Sequence, residues 1–259
     1  MDLYEYTGDF GGLGTSREQR HDGWAAESQA GVVRTPRAVR TPDSWDVSPP
    51  PPHLVHTPTT YERRIKPVID WVGAAVLCIV AAPVLVLIAV GVLLTLGSPI
   101  LIRQERVGRD GVTFGMLKFR TMHPDRRGTT RSEQHVIHDR RLSHKRDDDP
   151  RHVPFGRFLR KWSLDELPQL INILRGEMSL VGPRPELATV VHRYEPWQHA
   201  RHQVKPGLTG WWQVTERDQG LMLEHTRADL RYLNNVRLKT DLKLLLMTVP
   251  AVLGKMRGL

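Results

Sequence analysis

The chain has 259 residues, a formal net charge of +9 and a sequence pI near 10.0. Its single cysteine, Cys78, excludes an intrachain disulfide framework and a zinc site built from several cysteines. The charge is uneven, since residues 1–60 carry five Arg against eight Asp or Glu and the remainder therefore carries about +12. A basic surface of this kind is typical of proteins that meet nucleic acid, an anionic membrane or a phosphorylated substrate.

Residues 1–60 are predicted to form a disordered tail. They are rich in Gly, Ser, Thr, Asp and Arg, and they end in the proline run Pro49–Pro52. Such a segment buries too little apolar surface to offset the entropy that it would lose on ordering. No apolar stretch lies near its start, so we expect no secretory signal.

An apolar run predicts a membrane element at residues 61–103. No charged side chain occurs over the 32 positions 71–102, whereas about 20 apolar residues suffice to span a bilayer. Pro83 is expected to break or kink a helix at that point. Basic side chains flank both ends of the run, namely Arg63, Arg64 and Lys66 before it and Arg103, Arg106 and Arg109 after it. Since Lys and Arg mark the cytoplasmic side, the pattern fits a helical hairpin that dips in and returns, or one kinked span.

The remainder of the chain, 104–259, is predicted to fold into a mixed domain that is mainly helical. Val112–Met122 has the character of a strand, and 123–152 is a charged, His-rich loop. Two amphipathic helices are predicted at 221–235 and 236–253, and the second is typical either of a membrane-surface helix or of a core helix. Helical spacing also relates Leu167, Leu170, Ile171 and Leu174.

Two adjacent carboxylates, Asp165 and Glu166, stand where that last helical pattern begins. Ser163 and Glu166 fit a capping box, and acidic residues near a helix N-terminus are stabilised by its dipole. The same position keeps an Asp ionised, as a nucleophile or Mg²⁺ ligand must be, and offers N–H groups to a phosphate. The segment therefore predicts either a helix cap or a catalytic carboxylate pair.

Arginines near this pair favour the catalytic interpretation. Arg160 lies just before it, and Arg184 follows the helix between two prolines. Prolines restrict the backbone around Arg184, and guanidinium groups bind phosphates through paired hydrogen bonds. An acid, a metal and a fixed arginine are the components that phosphoryl transfer requires.

Longer stretches of the chain resemble the bacterial sugar transferases, the monotopic polyprenyl-phosphate hexose-1-phosphate transferases, also called phosphoglycosyl transferases. The resemblance is carried by SLDELPQL at 163–170 and GEMSLVGPRP at 176–185, and by 104–108, 118–122, 205–211 and 240–243. It implies an α+β, mainly helical fold of the small, catalytic-core type. In that fold a re-entrant membrane helix at 61–103, broken at Pro83, and interfacial amphipathic helices surround a cytoplasmic catalytic domain at 104–259.

The resemblance also implies a reaction. In the family, the residue that matches Asp165 attacks the sugar-linked phosphate of a UDP-sugar, and UMP leaves. The phosphosugar–aspartyl intermediate then passes its sugar phosphate to a polyprenyl phosphate, here undecaprenyl phosphate. Glu166 matches the partner acid, which assists the metal site or proton handling, and Mg²⁺ is the metal expected at Asp165 and Glu166. The expected substrate- or phosphate-binding residues are Lys118, Arg160, Arg184, Arg217 and Asp241.

The implied setting is the cytoplasmic face of the bacterial inner membrane, at the first step of exopolysaccharide or cell-surface glycan synthesis. The expected partners are a UDP-sugar, undecaprenyl phosphate and membrane lipids, with no nucleic acid, and a homodimer is left open. One departure from the family is Ala82-Pro83, where the family often has Ser-Pro.

Two other functions stay open on the residues alone. A membrane-anchored basic protein that binds anionic lipid or nucleic acid would use the charge, but it gives Asp165 and Glu166 no role. A metal-dependent glycosyltransferase would use Asp147–Asp149 and release UDP, although a solvated charge run fits those acids better. Surface positions are expected for the loop histidines His135, His138, His144 and His152.

Overall fold

A computed structural model of the protein describes residues 49–123, 151–215 and 222–253. Its helices are α1 (Lys66–Leu96), α2 (Pro154–Lys161), α3 (Gln169–Leu174), α4 (Ala188–Val191), α5 (Trp211–Thr215), α6 (Met222–Leu233) and α7 (Leu238–Leu253). Its strands are β1 (Leu101–Val107), β2 (Thr113–Phe119), β3 (Ser179–Val181) and β4 (Gly207–Thr209). The mixed, mainly helical class is confirmed, and so are the predicted strand near Val112–Met122 and the two C-terminal helices.

Several predictions concern residues that the structure does not describe. The tail at 1–48, the loop at 124–150 with its Asp147–Asp149 run, and Arg217 lie outside the described residues. Residues 49–60 are described and pack on the domain, because the side chain of Gln203 bonds to the Leu54 carbonyl and the His56 amide, at 2.9 and 2.7 Å. The folded domain therefore begins before residue 61, earlier than the predicted boundary of the tail.

The four strands form two small sheets. Strands β1 and β2 pair antiparallel, with Leu101 opposite Phe119, and Phe114, Met116 and Phe119 of β2 are buried. Strands β3 and β4 pair in parallel, with Ser179 opposite Gly207. A Cβ on Gly207 would lie 2.1 Å from the backbone nitrogen of Gly182, so only glycine allows this close pairing. The parallel pair fixes the path of the chain that leaves β3.

Helix α1 is apolar and runs without interruption for 31 residues, with Pro83 inside it. A proline removes one helical hydrogen bond and can kink a helix without ending it. The predicted break is therefore not an end of the helix in this structure, and the re-entrant path stays a prediction. With the turn that precedes it, the helical segment 61–96 is the one described helix long and apolar enough to cross a membrane by length and composition.

One face of α1 packs on the domain near both of its ends. Near the N-terminus, Asp70 accepts hydrogen bonds from the Ser179 hydroxyl (2.7 Å) and the Leu180 amide (3.1 Å). At the C-terminus, the buried Arg120 guanidinium donates to the carbonyls of residues 96–98. A cation there satisfies carbonyls that the helix leaves unpaired and complements its dipole. Both ends of α1 are thus fastened to one folded unit.

The other face of α1 is apolar and exposed. Ile79 is 76% exposed, Leu87 is 72% exposed and Leu94 is 80% exposed. Leaving side chains of this size in water forgoes about 1.5–3 kcal/mol each relative to burial. An exposed apolar face of this extent marks a surface that contacts a membrane or a partner.

Short helix α3 differs from the predicted pattern. Its buried positions include Leu170 and Ile173, whereas Ile171, predicted on the inner face, is 37% exposed. Buried Asn172 explains part of the difference, because its side chain accepts a hydrogen bond from the Leu117 amide and donates to the Gly115 carbonyl. A polar contact with β2 therefore helps set the rotation of α3.

Candidate active site

The carboxylate pair lies in a short 3-10 turn, Leu164–Glu166, between α2 and α3. Ser163, just before this turn, has a φ of 58°, in the left-handed region, and its side chain does not cap the turn. The predicted capping box is therefore wrong. The Glu166 side chain bonds instead to cations from two other segments.

Glu166 is clamped by Lys118 and Arg184. Its Oε1 atom accepts hydrogen bonds from Lys118 Nζ at 2.9 Å and from Arg184 Nη2 at 3.1 Å. Burial alone would raise the pKa of Glu166, but the charges and hydrogen bonds of Arg184 and Lys118 outweigh burial and hold that pKa well below its usual range. Glu166 is therefore a permanently ionised carboxylate at physiological pH.

Asp165 has the opposite shift. Its side chain is buried, and burial together with the negative charge of Glu166 raises the pKa of Asp165 to about 6, although Lys118 and Arg184 act in the other direction. Above pH 7 Asp165 is mostly ionised, yet it is more basic than an ordinary aspartate. That combination suits a carboxylate nucleophile, since the charged form is present and basicity strengthens its attack.

The pair leaves oxygen atoms available for a ligand. Within the described ranges, both hydrogen bonds from side chains to Glu166 end on Oε1, and none of the side-chain hydrogen bonds ends on the Asp165 carboxylate. Those ranges hold no group of three or more His, Cys, Asp or Glu that could bind a metal by themselves. Mg²⁺ is commonly held by one or two carboxylates together with substrate phosphates, so Asp165 and Glu166 fit such a shared site.

Arg184 belongs to the loop that follows β3, and its position is fixed from several sides. The carbonyl of Pro183 accepts a hydrogen bond from the Gly207 amide at 2.8 Å. The carbonyl of Arg184 accepts one from Arg201 Nη2 at 2.6 Å. The Arg184 guanidinium lies over the ring of Trp212, 5.6 Å from its centroid, which allows a cation–π contact. The loop thus presents Arg184 to Glu166 in one orientation.

Two further predicted site residues are Arg160 and Arg217. Arg160, on α2, has Nη1 2.7 Å from His152 Nε2, so its place at the site stays a prediction. Arg217 is not among the described residues. The structure therefore brings together Asp165, Glu166, Lys118 and Arg184 from the predicted set.

Asp241 takes part in a different polar cluster. Its Oδ2 accepts hydrogen bonds from Lys66 Nζ (2.7 Å) and the Tyr61 hydroxyl (2.8 Å), and the Tyr232 hydroxyl lies 2.8 Å from its Oδ1. These contacts fasten α7 and α6 to the start of α1. The contacts give Asp241 a structural role, and its predicted substrate contact stays a prediction.

Sequence reasoning missed the groups that hold Arg184. Arg201 and Trp212 lie well beyond Arg184 in the sequence, and no local pattern pairs them with it. The signal that was available is the proline on each side of Arg184, which predicts a loop that needs outside partners. That signal does not say which partners they are.

Comparison with known proteins bears on this site. Residues 61–255 match the family model described as bacterial sugar transferase. A UDP-glucose:undecaprenyl-phosphate glucose-1-phosphate transferase of Caulobacter vibrioides is 42% identical over 196 residues, covering 73% of this chain and 69% of that protein. The exopolysaccharide production protein ExoY of Sinorhizobium fredii is 41% identical over 160 residues, covering 60% of this chain and 71% of its own length.

Some relatives are much longer than the shared part. The galactosyl transferase CpsE of Streptococcus agalactiae is 38% identical over 160 residues, which cover 61% of this chain. The match covers 35% of CpsE, so the chain spans about a third of the length of that relative. The names of these relatives differ in the sugar, glucose in one and galactose in another.

The raised pKa of Asp165 generates a stability prediction. In the folded state its ionisation is disfavoured, so its contribution to stability is fully present below about pH 4 and is lost as the pH rises through about 6. In metal-free protein at pH 7.5, Asp165→Asn should raise the thermal midpoint by at least about 2 °C. The difference should shrink when both proteins are melted at pH 5. The matched control is Asp110→Asn at an exposed position, with no change expected. A thermal midpoint for Asp165→Asn below that of the wild type at pH 7.5 would contradict the conclusion that folding disfavours the ionised form of Asp165.

Proposed function

The chain belongs to the bacterial sugar transferase family, and we propose on that premise that it transfers a sugar 1-phosphate from a UDP-sugar to undecaprenyl phosphate. That it is an enzyme of the transferase class follows from the family. The observation that carries the proposal is the ionised Asp165 beside a carboxylate clamped by Lys118 and Arg184. The name of the Caulobacter relative, whose match covers 69% of that protein, supports the same donor and acceptor classes.

In the first proposed step Asp165 acts as the nucleophile. A carboxylate oxygen of Asp165 attacks the phosphorus that bears the sugar, and a new oxygen–phosphorus bond forms. The bond from that phosphorus to the bridging oxygen of UMP breaks, and UMP leaves with the bonding electron pair. The sugar phosphate is then joined to Asp165 as an acyl phosphate. Because Asp165 is already ionised above pH 7, this step needs no separate base.

Lys118 and Arg184 supply positive charge for the transfer. Both lie within hydrogen-bond distance of Glu166, next to Asp165 in the chain, so they stand near the proposed site of reaction. Fixed cations that face developing negative charge stabilise a transition state without reorganisation. Asp165 and Glu166 would hold Mg²⁺, which when bound supplies charge neutralisation to the diphosphate oxygens.

In the second proposed step the acceptor displaces Asp165. An oxygen of undecaprenyl phosphate attacks the same phosphorus, the bond to Asp165 breaks, and the carboxylate is restored. The product is undecaprenyl diphosphate sugar. Glu166 has a pKa far below 7 and therefore carries almost no proton to donate. Its geometry supports holding the metal and orienting Arg184 rather than proton handling.

The contacts of α1 support a membrane setting with both ends of this helix on one side. A helix that crossed a bilayer would carry its two ends to opposite faces, but Asp70 and the carbonyls of residues 96–98 bond to one folded unit. The exposed apolar face of α1 then faces the lipid. Helix α7 adds a second exposed apolar row, comprising Leu238, Leu242, Leu246 and Val249. Basic residues at both flanks of α1 favour the cytoplasmic face.

The transfer reaction has a direct test. The purified full chain with Mg²⁺, undecaprenyl phosphate and either UDP-glucose or UDP-galactose should release UMP, and product chromatography distinguishes UMP from UDP. Asp165→Asn should lower the rate by roughly 10³-fold or more, because the amide is not a nucleophile. Lys118→Met should lower it roughly 10²-fold, since one fixed cation is lost. Asp110→Asn serves as the matched surface control. Release of UDP, or full activity in Asp165→Asn, would overturn the proposal.

The membrane arrangement has a separate test. In a Cys78→Ser background, single cysteines replace Arg64 before α1 and Arg109 after it, both at exposed positions. A membrane-impermeant maleimide should label both in inverted vesicles and neither in intact cells, because both flanks face the cytoplasm. The Cys78→Ser protein without a new cysteine controls for background. Labelling of one of the two positions in intact cells would indicate a helix that crosses the membrane.

A further inference from the structure

An ion pair lies buried behind the arginine loop. Arg201 Nη2 lies 2.6 Å from Asp229 Oδ2, and the two side chains are 4% and 2% exposed. Removing two charges from water costs free energy for each ion, and their attraction often does little more than offset that cost. Stability alone is therefore a weak reason for a charged pair at this position, and its contacts indicate another one.

Arg201 holds the backbone of the loop that carries Arg184. Its Nη2 donates to the Arg184 carbonyl at 2.6 Å, and its Nη1 donates to the Tyr194 hydroxyl at 2.6 Å. Pro183 and Pro185 have no N–H group, so the loop gains few hydrogen bonds as a donor. Its position depends instead on the bonds that its carbonyls accept, and the carbonyl of Arg184 itself is held by Arg201.

The groups around Arg201 balance its positive charge. Without Asp229, a second guanidinium beside Arg184 would add buried positive charge and repel it. Asp229, on α6, balances Arg201 directly. The neighbouring His202 stays neutral at physiological pH, because burial and the charge of Arg201 lower its pKa to about 3. The arrangement thus delivers one strong donor to the Arg184 carbonyl without excess charge.

We propose that Arg201, with Asp229 as its counter-ion, is a positioning residue for the transfer reaction. It fixes the backbone of Arg184, so that the guanidinium meets Glu166 on one side and the transferred phosphate on the other. This proposal rests on the proposed function, because it assigns Arg201 an effect that passes through Arg184. Arg201 itself bonds to the loop backbone, Tyr194 and Asp229 rather than to the carboxylate pair.

A double-mutant cycle tests the proposal. Arg201→Met should lower kcat for UMP release roughly 10- to 100-fold with a smaller change in KM for the UDP-sugar, because Arg184 stabilises the transition state more than the ground state. Arg201→Lys should recover part of kcat, since an ammonium can still donate to the carbonyl. In an Arg184→Met background, Arg201→Met should have little further effect, because both substitutions remove the same contribution. Additive losses, or full kcat in Arg201→Met, would overturn the proposal.

A second readout does not depend on the transfer reaction. Hydrogen–deuterium exchange at the amides of Gly207 and Val107, which donate to the loop carbonyls of Pro183 and Glu186, should rise in Arg201→Met and in Asp229→Asn. Val236→Ala is the control, because it removes buried apolar volume from the core without touching the loop. Suppose that Arg201→Met and Val236→Ala lower the free energy of unfolding by the same amount. If the amides of Gly207 and Val107 then exchange at the same rate in both variants, the positioning role is wrong. If the wild-type chain releases no UMP while Arg201→Met still loosens the loop, the proposed reaction fails and the loop contact stands.

Discussion

One carboxylate oxygen, Oε1 of Glu166, accepts hydrogen bonds from two cations that come from separate parts of the chain. Lys118 reaches it from strand β2, and Arg184 reaches it from the loop after β3. Those two segments and the 3-10 turn must each fold correctly before the three side chains meet. The antiparallel hairpin and the parallel strand pair can therefore be understood as supports for a single contact.

The same contact gives the two neighbouring acids different pKa values and therefore different chemistry. Glu166 is satisfied by Lys118 and Arg184, and its pKa falls, whereas its charge helps to raise the pKa of Asp165 to about 6. Neighbouring carboxylates whose pKa values are driven apart are a recurring way to assign different roles to like residues. In the proposed reaction Glu166 supplies a fixed negative charge, and Asp165 supplies the nucleophile. The buried Arg201–Asp229 pair extends this arrangement one layer further from the reacting atoms.

Local sequence patterns predicted much of the fold but little of its pairing. The apolar α1, the strand β2 and the two C-terminal helices follow from spacing that one segment contains in itself. The prediction of a capping box at Ser163 was wrong because Glu166 bonds to charged side chains from distant segments, and no local pattern reveals such partners. Residue motifs predicted Asp165, Glu166, Lys118 and Arg184 as site residues, and the structure brings these four together. Asp241 was placed with them by motif, yet its partners are Lys66 and two tyrosines.

The most direct test of the central claim is whether a sugar phosphate becomes covalently attached to Asp165. Protein incubated with Mg²⁺ and a UDP-sugar, without lipid acceptor, is quenched in acid and measured by intact-protein and peptide mass spectrometry. The account predicts the added mass of one sugar phosphate on the peptide that contains Asp165, and loss of that mass when undecaprenyl phosphate is supplied. An adduct on another residue, or acceptor-dependent turnover with no adduct at any time, would contradict it.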